Sequence, residues 1–174
     1  MSMKKQQGFG MIEVMVTFVI VAMGLLGMNA LQSATVQNGF EAYQRALLIS
    51  IVDDMAARIR MNPNNSEDYL NETGAYYGSN AMSLVSCQNI QGSERDKCEW
   101  NQALKGRYVV DPVGAGLAAP YGARGCIELL DTNTVQISVA WMGISKQVSP
   151  EHDCGYGDMP EDNRRVITRE IKIK

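Results

Sequence analysis

The feature that most constrains this chain is an uncharged, largely apolar segment close to its amino terminus. Residues 14–40 contain no charged side chain, and Thr17 is the one polar side chain between Val14 and Met28. The hydrocarbon core of a bilayer takes about 20 mostly apolar residues as a helix, which residues 11–31 just supply. Lys4 and Lys5 precede the segment, and the positive-inside bias keeps such a leader cytoplasmic. We therefore expect a membrane helix with the rest of the chain exported.

Glu13 stands at the start of this segment, where a carboxylate in lipid costs several kcal/mol unless it finds a partner. A secretory signal peptide would need small residues spaced as in Ala-x-Ala beyond the segment, and residues 29–31 and 33–35 are poor versions of that site. A plain single-span anchor is the second possibility. Both leave Glu13 without a role. Cleavage on the cytoplasmic side, between Gly8 and Phe9, would instead retain the helix and create a new amino terminus near Glu13.

The first residues resemble those of a type IV prepilin. Residues 4–13 read Lys-Lys-Gln-Gln-Gly-Phe-Gly-Met-Ile-Glu, a short basic leader followed by Gly8, Phe9 and an acid five residues into the mature chain. The resemblance implies that a prepilin peptidase cuts after Gly8 and N-methylates Phe9. It also implies that Glu13 docks against the amino terminus of a neighbouring subunit. A buried carboxylate and a buried ammonium offset each other's desolvation cost when their geometry is good.

Within that class, the chain is most similar to type IV pilus minor pilins of the modification protein PilV family. Besides the amino-terminal motif, the similarity rests on Arg-Gly-Cys-Ile-Glu, Val-Gln-Ile-Ser-Val-Ala-Trp-Met-Gly, Cys-Gly and Arg-Arg-Val-Ile within residues 124–167. Many major pilins carry proline in the membrane helix, but this chain has none before Pro63. The resemblance implies a non-enzymatic subunit that takes part in priming and assembly of type IV pili, and so in twitching motility and surface attachment. The alternative is a minor pseudopilin of a type II secretion system.

The same resemblance implies the partners and the location. The partners are the prepilin peptidase, other minor pilins, the major pilin, the inner-membrane assembly platform and the membrane itself. Before assembly the subunit is a single-pass inner-membrane protein with a periplasmic head, and after assembly it is part of the pilus at the cell surface. Nucleic-acid binding is not expected, because removal of residues 1–8 takes away two lysines and no acid and changes the net charge from -3 to -5.

The cysteines indicate an oxidising compartment. Cys87, Cys98, Cys126 and Cys154 all lie in the exported part, and an even number there indicates disulfides. Four cysteines allow three connectivities, among which the sequence does not choose. The local pairs, Cys87 with Cys98 and Cys126 with Cys154, are favoured because each closes a short loop. A zinc site is disfavoured, since there is no Cys-x-x-Cys and only one histidine, His152.

Hydrophobic periodicity predicts an α+β protein of the type IV pilin fold. Apolar residues recur every fourth position from Leu47 to Ile59, which extends the first helix as an amphipathic helix up to Asn62-Pro63. Beyond it, residues 62–80 form an expected surface loop, and alternation predicts strands at residues 107–110, 126–130, 134–141 and 166–173. The strands form an antiparallel sheet on the amphipathic half of the helix. The predicted parts are a leader (1–8), a transmembrane and assembly helix (9–39), its amphipathic half (40–62) and a disulfide-stabilised, β-rich head (63–174).

Other functional features are weak. We expect no cofactor and no catalytic residue, since His152 has no evident partner and no serine lies in a Gly-x-Ser-x-Gly elbow. No metal site is expected either, although the acidic loop of residues 151–162 leaves calcium open. Gly24, Gly27 and Gly39 each cost the helix about 1 kcal/mol relative to alanine. Close packing against a neighbouring helix and local bending during assembly are the two explanations.

Overall fold

The computed structural model describes residues 10–71, 76–78, 86–106 and 120–173. The elements in chain order are helix α1 (Met11–Met61), a 3-10 helix (Pro63–Tyr69), strand β1 (Tyr77–Gly78), a 3-10 turn (Cys87–Asn89), helix α2 (Gly92–Leu104), and strands β2 (Arg124–Asp131), β3 (Thr134–Met142) and β4 (Arg164–Lys172). The chain divides into two compact units, Met1–Phe40 and Glu41–Lys174. We call the second unit the head.

Helix α1 ends where the sequence predicts. Its last residue is Met61, and Asn62 and Pro63 follow, because a residue that precedes proline disfavours the helical region. In the head, α1 buries one face at four-residue spacing, as an amphipathic helix does. The buried residues of α1 are Gln44, Leu48, Ile51, Val52, Met55, Ala56 and Ile59.

The strands form an antiparallel sheet in the order β1-β2-β3-β4. The β2–β3 connection is a tight hairpin in which the Asp131 carboxylate accepts a hydrogen bond from the Asn133 amide at 2.8 Å, a local bond typical of turns. A bulge between Leu129 and Asp131 adjusts the register next to it. The α+β architecture is thereby confirmed, and so are strands near the predicted 126–130, 134–141 and 166–173. The predicted strand at 107–110 lies outside the described residues.

One face of the sheet packs on α1 to form the main core. Ile171 and Ile173 are buried in the same cluster as the α1 residues, and Ile167 packs against it, as the alternation in the last strand predicts. The other members include Ile127, Val135, Ile137 and Val139. Each such side chain contributes about 1.5–3 kcal/mol relative to exposure, so this layer holds the helix to the sheet.

Helix α2, the 3-10 helix Pro63–Tyr69 and strand β1 are not predicted from the sequence. Helix α2 buries Trp100, Ala103 and Leu104. Most of its other residues are polar, so its apolar face is too short to predict a helix from hydrophobic periodicity. The expected loop over residues 62–80 is wrong in part, because it contains the 3-10 helix Pro63–Tyr69 and the strand β1. Tertiary packing stabilises both pieces: Tyr69 is fully buried, and the Tyr77 ring packs edge-on against Trp100 with centroids 5.4 Å apart.

Two disulfides close the head, Cys87–Cys98 and Cys126–Cys154. These are the two local pairs that the sequence favours. The second disulfide joins β2 to the long β3–β4 connection on the outer face of the sheet, in a small cluster with Ala140 and Met159. Loops of 11 and 28 residues are closed in this way, each worth about 3 kcal/mol by restricting the unfolded chain.

Candidate functional site

Glu13 lies in the first turn of α1. Its amide donates a hydrogen bond to the carbonyl of Gly10 at 3.0 Å, so the backbone around it is helical from its first turn. The positive end of the helix dipole stabilises an acid here by about 0.3–1 kcal/mol, which is less than the roughly 2.5–3.5 kcal/mol that a charge costs at the centre of a membrane helix. Among the described residues the Glu13 carboxylate has no ion-pair partner. Gly8 and Phe9, the predicted cleavage and methylation positions, lie outside the described residues.

Over residues 14–28 the surface of α1 is apolar on every side apart from Thr17. An 18-residue window of the helix reaches a mean hydropathy of 2.3, and none of that window is buried. Met23, for example, is 68% exposed. Thr17 and Thr35 donate their hydroxyl protons to the carbonyls of Val14 and Leu31, both at 2.8 Å, so these hydroxyls are satisfied within the helix. By length and composition the helix can cross a membrane.

The glycines of this segment are not required by packing against any described part of the chain. A Cβ built on Gly24, Gly27 or Gly39 meets no heavy atom of the described structure within 4 Å. Each glycine therefore lowers the helix propensity without an internal packing gain. If close packing requires them, the close neighbour is another molecule.

At the start of the head, Glu41 links α1 to the β3–β4 connection. One carboxylate oxygen of Glu41 accepts hydrogen bonds from the amides of Ile144 and Ser145, at 3.0 and 2.8 Å, and from the Ser145 hydroxyl at 2.8 Å. The Ser145 amide bond is the main cause that lowers the pKa of Glu41, and the Ser145 hydroxyl and the Arg165 charge act in the same direction. The sequence alone does not reveal this role, because the partners are more than 100 residues apart.

At the other end of α1, Arg58 joins the helix to α2. Its guanidinium contacts the carboxylates of Asp54, Asp96 and Glu99 at 2.9, 2.8 and 2.7 Å. Burial raises the pKa of Tyr69 to about 12, and the hydrogen bond that its hydroxyl donates to Asp96 at 2.6 Å acts in the same direction. This network holds α2 against α1. Asp54 forms an ion pair with Arg58 within α1.

Three of the five carboxylates in the acidic loop of residues 151–162 form internal ion pairs. Arg164 is almost fully buried and donates hydrogen bonds to the carbonyls of Pro150, His152 and Cys154. The carboxylates of the loop pair with cations of the head: Asp158 with Arg124 at 2.8 Å, Glu161 with Arg164 at 2.7 Å, and Asp162 with Lys146 at 2.6 Å. No group of three His, Cys, Asp or Glu residues that could hold a metal occurs within the part of the chain that the structure describes.

His152 has a serine neighbour that the sequence did not reveal. Its Nε2 lies 3.0 Å from the Ser138 hydroxyl and 2.8 Å from the Gln136 side-chain oxygen. The Nδ1 atom accepts a hydrogen bond from the Cys154 amide at 3.0 Å, so in the neutral ring the proton sits on Nε2. The nitrogen that faces Ser138 therefore cannot accept the serine proton. The pair has the contact of a catalytic dyad but the wrong tautomer for one.

Comparison with known proteins supports the interpretation of the amino terminus. Residues 3–29 match the family described as the prokaryotic N-terminal methylation motif. Neither the curated proteins nor the solved structures contain a match to the chain. The matched motif supports a type IV pilin or pseudopilin that a prepilin peptidase processes. Together with the apolar first half of α1, it fits a membrane-anchored subunit whose role is structural.

Proposed function

We propose that this protein is a minor pilin that takes part in priming and assembly of type IV pili. The observation that carries the proposal is the methylation motif at residues 3–29, placed at the start of a helix whose residues 14–28 are apolar apart from Thr17. Between Gly10 and Phe40 the one charge of that helix is Glu13. A helix of this kind is stable in lipid or in contact with copies of similar helices.

Assembly follows from the chemistry of this segment. Cleavage after Gly8 leaves the amino group of Phe9 as a methylated ammonium, four residues before Glu13. In the bilayer an isolated subunit has a carboxylate without a partner. A neighbouring subunit supplies an ammonium, and the pair offsets the desolvation cost that each charge bears alone. The apolar side chains of residues 11–40 then pack between subunits, and Glu13 sets their register.

The pilus is favoured over the secretion pseudopilus by the similarity of residues 124–167 to PilV family minor pilins. In the head, this region contains β2, β3, the buried disulfide Cys126–Cys154 and the Arg164 network. The minor pseudopilin of a type II secretion system is the second candidate, because the amino-terminal motif suits both. As a minor pilin, the subunit would join other minor pilins and the major pilin on the inner-membrane platform, with its head in the periplasm. It would end at the cell surface, where the pilus supports twitching motility and adhesion.

The processing step is tested by mass analysis of the amino terminus, on protein extracted from membranes with and without the prepilin peptidase. We expect a chain that starts at methylated Phe9 only when the peptidase is present. A chain that starts at Met1 in both cases, or after residue 30, contradicts the proposal.

The choice between the two systems is tested with a deletion strain. We expect loss of pili and of twitching with normal secretion of exoproteins, and complementation by the wild-type chain restores both. Retained pili with blocked secretion would assign the subunit to the secretion system.

A further inference from the structure

The two edges of the sheet differ. On one side, β1 is two residues long and α2 covers it, since the Gly78 amide donates a hydrogen bond to the Asn101 side chain at 2.7 Å. On the other side, β4 pairs with β3 over all nine residues without a bulge. No strand lies beyond β4 among the described residues. A long regular edge of this kind is a site at which another chain can add a strand.

The backbone groups that point away from β3 can be identified. At one end of the ladder the Ile173 amide donates to the Asn133 carbonyl at 2.7 Å, and at the other end the Gly143 amide donates to the Asn163 carbonyl at 2.8 Å. Alternate residues of an antiparallel pair bond to the partner strand, so the odd-numbered residues of β4 bond to β3. The residues whose N–H and C=O groups face outward are Val166, Thr168 and Glu170.

A groove runs between this edge and α1. Its cavity measures about 410 Å³. Ile49, a large apolar side chain, is 45% exposed on the wall of the groove. The groove therefore offers an apolar contact beside free backbone groups. Its lining consists of Arg45, Ile49, Val52 and Asp53 from α1 and Val166, Ile167, Thr168 and Arg169 from β4; we call it the β4 groove.

One ion pair partly closes the β4 groove. Arg169 lies on the core-facing side of β4, between Ile167 and Ile171, and an inward charge on an edge strand is a known protection against edge pairing. Its Nε lies 3.6 Å from the Asp53 carboxylate, and both side chains are half exposed. An exposed pair contributes about 0–1 kcal/mol, and this one is longer than a hydrogen bond. A ligand whose carboxylate contacts Arg169 at a shorter distance can replace Asp53 as its partner.

The charges around the β4 groove favour an acidic ligand. Arg45 has no ion-pair partner in the described part of the chain. With it, the groove and the side chains of β4 that are not buried carry four cations, Arg45, Arg165, Arg169 and Lys172, against Asp53 and Glu170. The fifth cation, Arg164, is buried and pairs with Glu161, and Arg165 also lies near Glu41. Two copies of this chain paired through β4 would bring these cations together, and like charges across strands are destabilising. An acidic segment would meet opposite charges.

We propose that the β4 groove binds an extended acidic segment of another protein, which adds to β4 as a further strand. Its backbone bonds to Val166, Thr168 and Glu170. One of its apolar side chains contacts Ile49, and acidic side chains on the same face meet Arg45 and Arg169. Strand addition of this kind takes affinity from the main chain and specificity from alternate side chains. The proposal does not depend on the pilus function, since it concerns the head alone.

The first test uses synthetic nine-residue peptides and the full chain in detergent, with binding followed by fluorescence anisotropy. One face of the probe alternates aspartate and valine, and the other face carries threonine. Two further peptides carry N-methyl groups on one or the other alternate set of amides. We expect one methylated peptide to bind at least tenfold more weakly and the other to bind like the parent, because a single edge of the peptide faces β4. Equal affinities for both methylated peptides, or no binding of the parent, would overturn the proposal.

The second test varies the protein. Thr168→Pro removes an outward amide, a change that edge strands tolerate, and should weaken the probe at least tenfold, whereas Thr168→Val should not. If the proline variant fails to fold, Arg45→Glu carries the test, with Arg60→Glu on the same helix as its control. Unchanged affinity in Arg45→Glu contradicts the proposal. Sedimentation of the full chain without peptide tests the other possible occupant, a second copy of this chain. A dimer that Arg45→Glu strengthens would assign the edge to the second copy and overturn the proposal.

Discussion

The two halves of α1 contain many of the same residue types in opposite surroundings. Met23, before the head, is 68% exposed, and Met55, inside the head, is fully buried. Residues 14–28 of the first half are apolar on every side apart from Thr17, whereas the second half buries one apolar stripe and carries charged residues elsewhere. One continuous helix thus presents two different surfaces. The first has the length and composition to cross a membrane, and the second buries its apolar stripe in the core of the head.

The largest effect that would sharpen this comparison concerns Glu13. We expect Glu13→Ala to be cleaved and methylated normally, with an unchanged melting temperature of the head, but to enter filaments at least tenfold less efficiently. The reason is that the amino terminus of the neighbour loses its buried partner. The measurement is the amount of subunit in sheared filaments, compared with the amount in the membrane.

Thr17→Val is the matched control for Glu13→Ala. It lies one turn further along the same helix, and the hydroxyl that it removes is bonded within the helix. Incorporation of Thr17→Val should equal that of the wild type. Normal filament entry of Glu13→Ala would remove the reason to treat Glu13 as a docking residue.

A methionine pair tests the comparison through stability. Met55→Ala leaves a cavity in the core and should lower the free energy of unfolding of the head by about 2–5 kcal/mol. Met23→Ala removes the same atoms from an exposed site and should change it by less than about 0.5 kcal/mol. Denaturant unfolding of the two variants in the same detergent, followed by tryptophan fluorescence, measures both values. Equal losses would mean that the halves of α1 are not energetically distinct.

A smaller effect is expected from the first contact of the head, the Glu41 carboxylate. The pKa of Glu41 lies below its ordinary value of 4.5. The ionised carboxylate therefore contributes its full stability to the head above pH 4.5, and this contribution is lost as the pH falls through the lowered pKa. Glu41→Gln should therefore melt at a lower temperature than the wild type at pH 7, with a smaller difference at pH 3. Thermal unfolding between these pH values tests it.

Glu67→Gln serves as the control for the pH profile, because Glu67 is exposed on the 3-10 helix Pro63–Tyr69. It should follow the wild-type curve. A Glu41→Gln variant whose deficit is the same at pH 3 and pH 7 would show that the stabilisation does not come from the ionised carboxylate.

The smallest effect on the head is expected from Gly24→Ala. Gly24 lies outside the head, and a Cβ there meets no described atom within 4 Å, so the melting temperature of the head should not change even though alanine favours the local helix by about 1 kcal/mol. Filament incorporation then tests whether the assembly requires this glycine at all. A loss of incorporation would point to a close neighbour or a bend in the assembly, and unchanged incorporation would show that the glycine is dispensable.

Much of the fold could be predicted because its signals are local. The alternation of Val135, Ile137 and Val139 identifies β3 from sequence, and Asn62-Pro63 identifies the end of α1. Helix α2 could not be found in the same way, because its stability depends on Trp100, whose indole N–H donates to the Ile51 carbonyl at 3.0 Å across 49 residues. A polar helix with one buried aromatic has little periodicity of its own.

The same distinction between local and long-range signals applies to the candidate site. The sequence by itself determined the methylation motif, the apolar segment and the single charge of Glu13, because hydrophobicity and charge along one helix need no partner to be recognised. Only the tertiary structure decided that Glu41 bonds to the β3–β4 connection, that Nε2 of His152 lies beside Ser138, and that no described strand covers the outer edge of β4. Each of these depends on groups distant in sequence, and their pairing is set by how the sheet, the disulfides and the helix pack together.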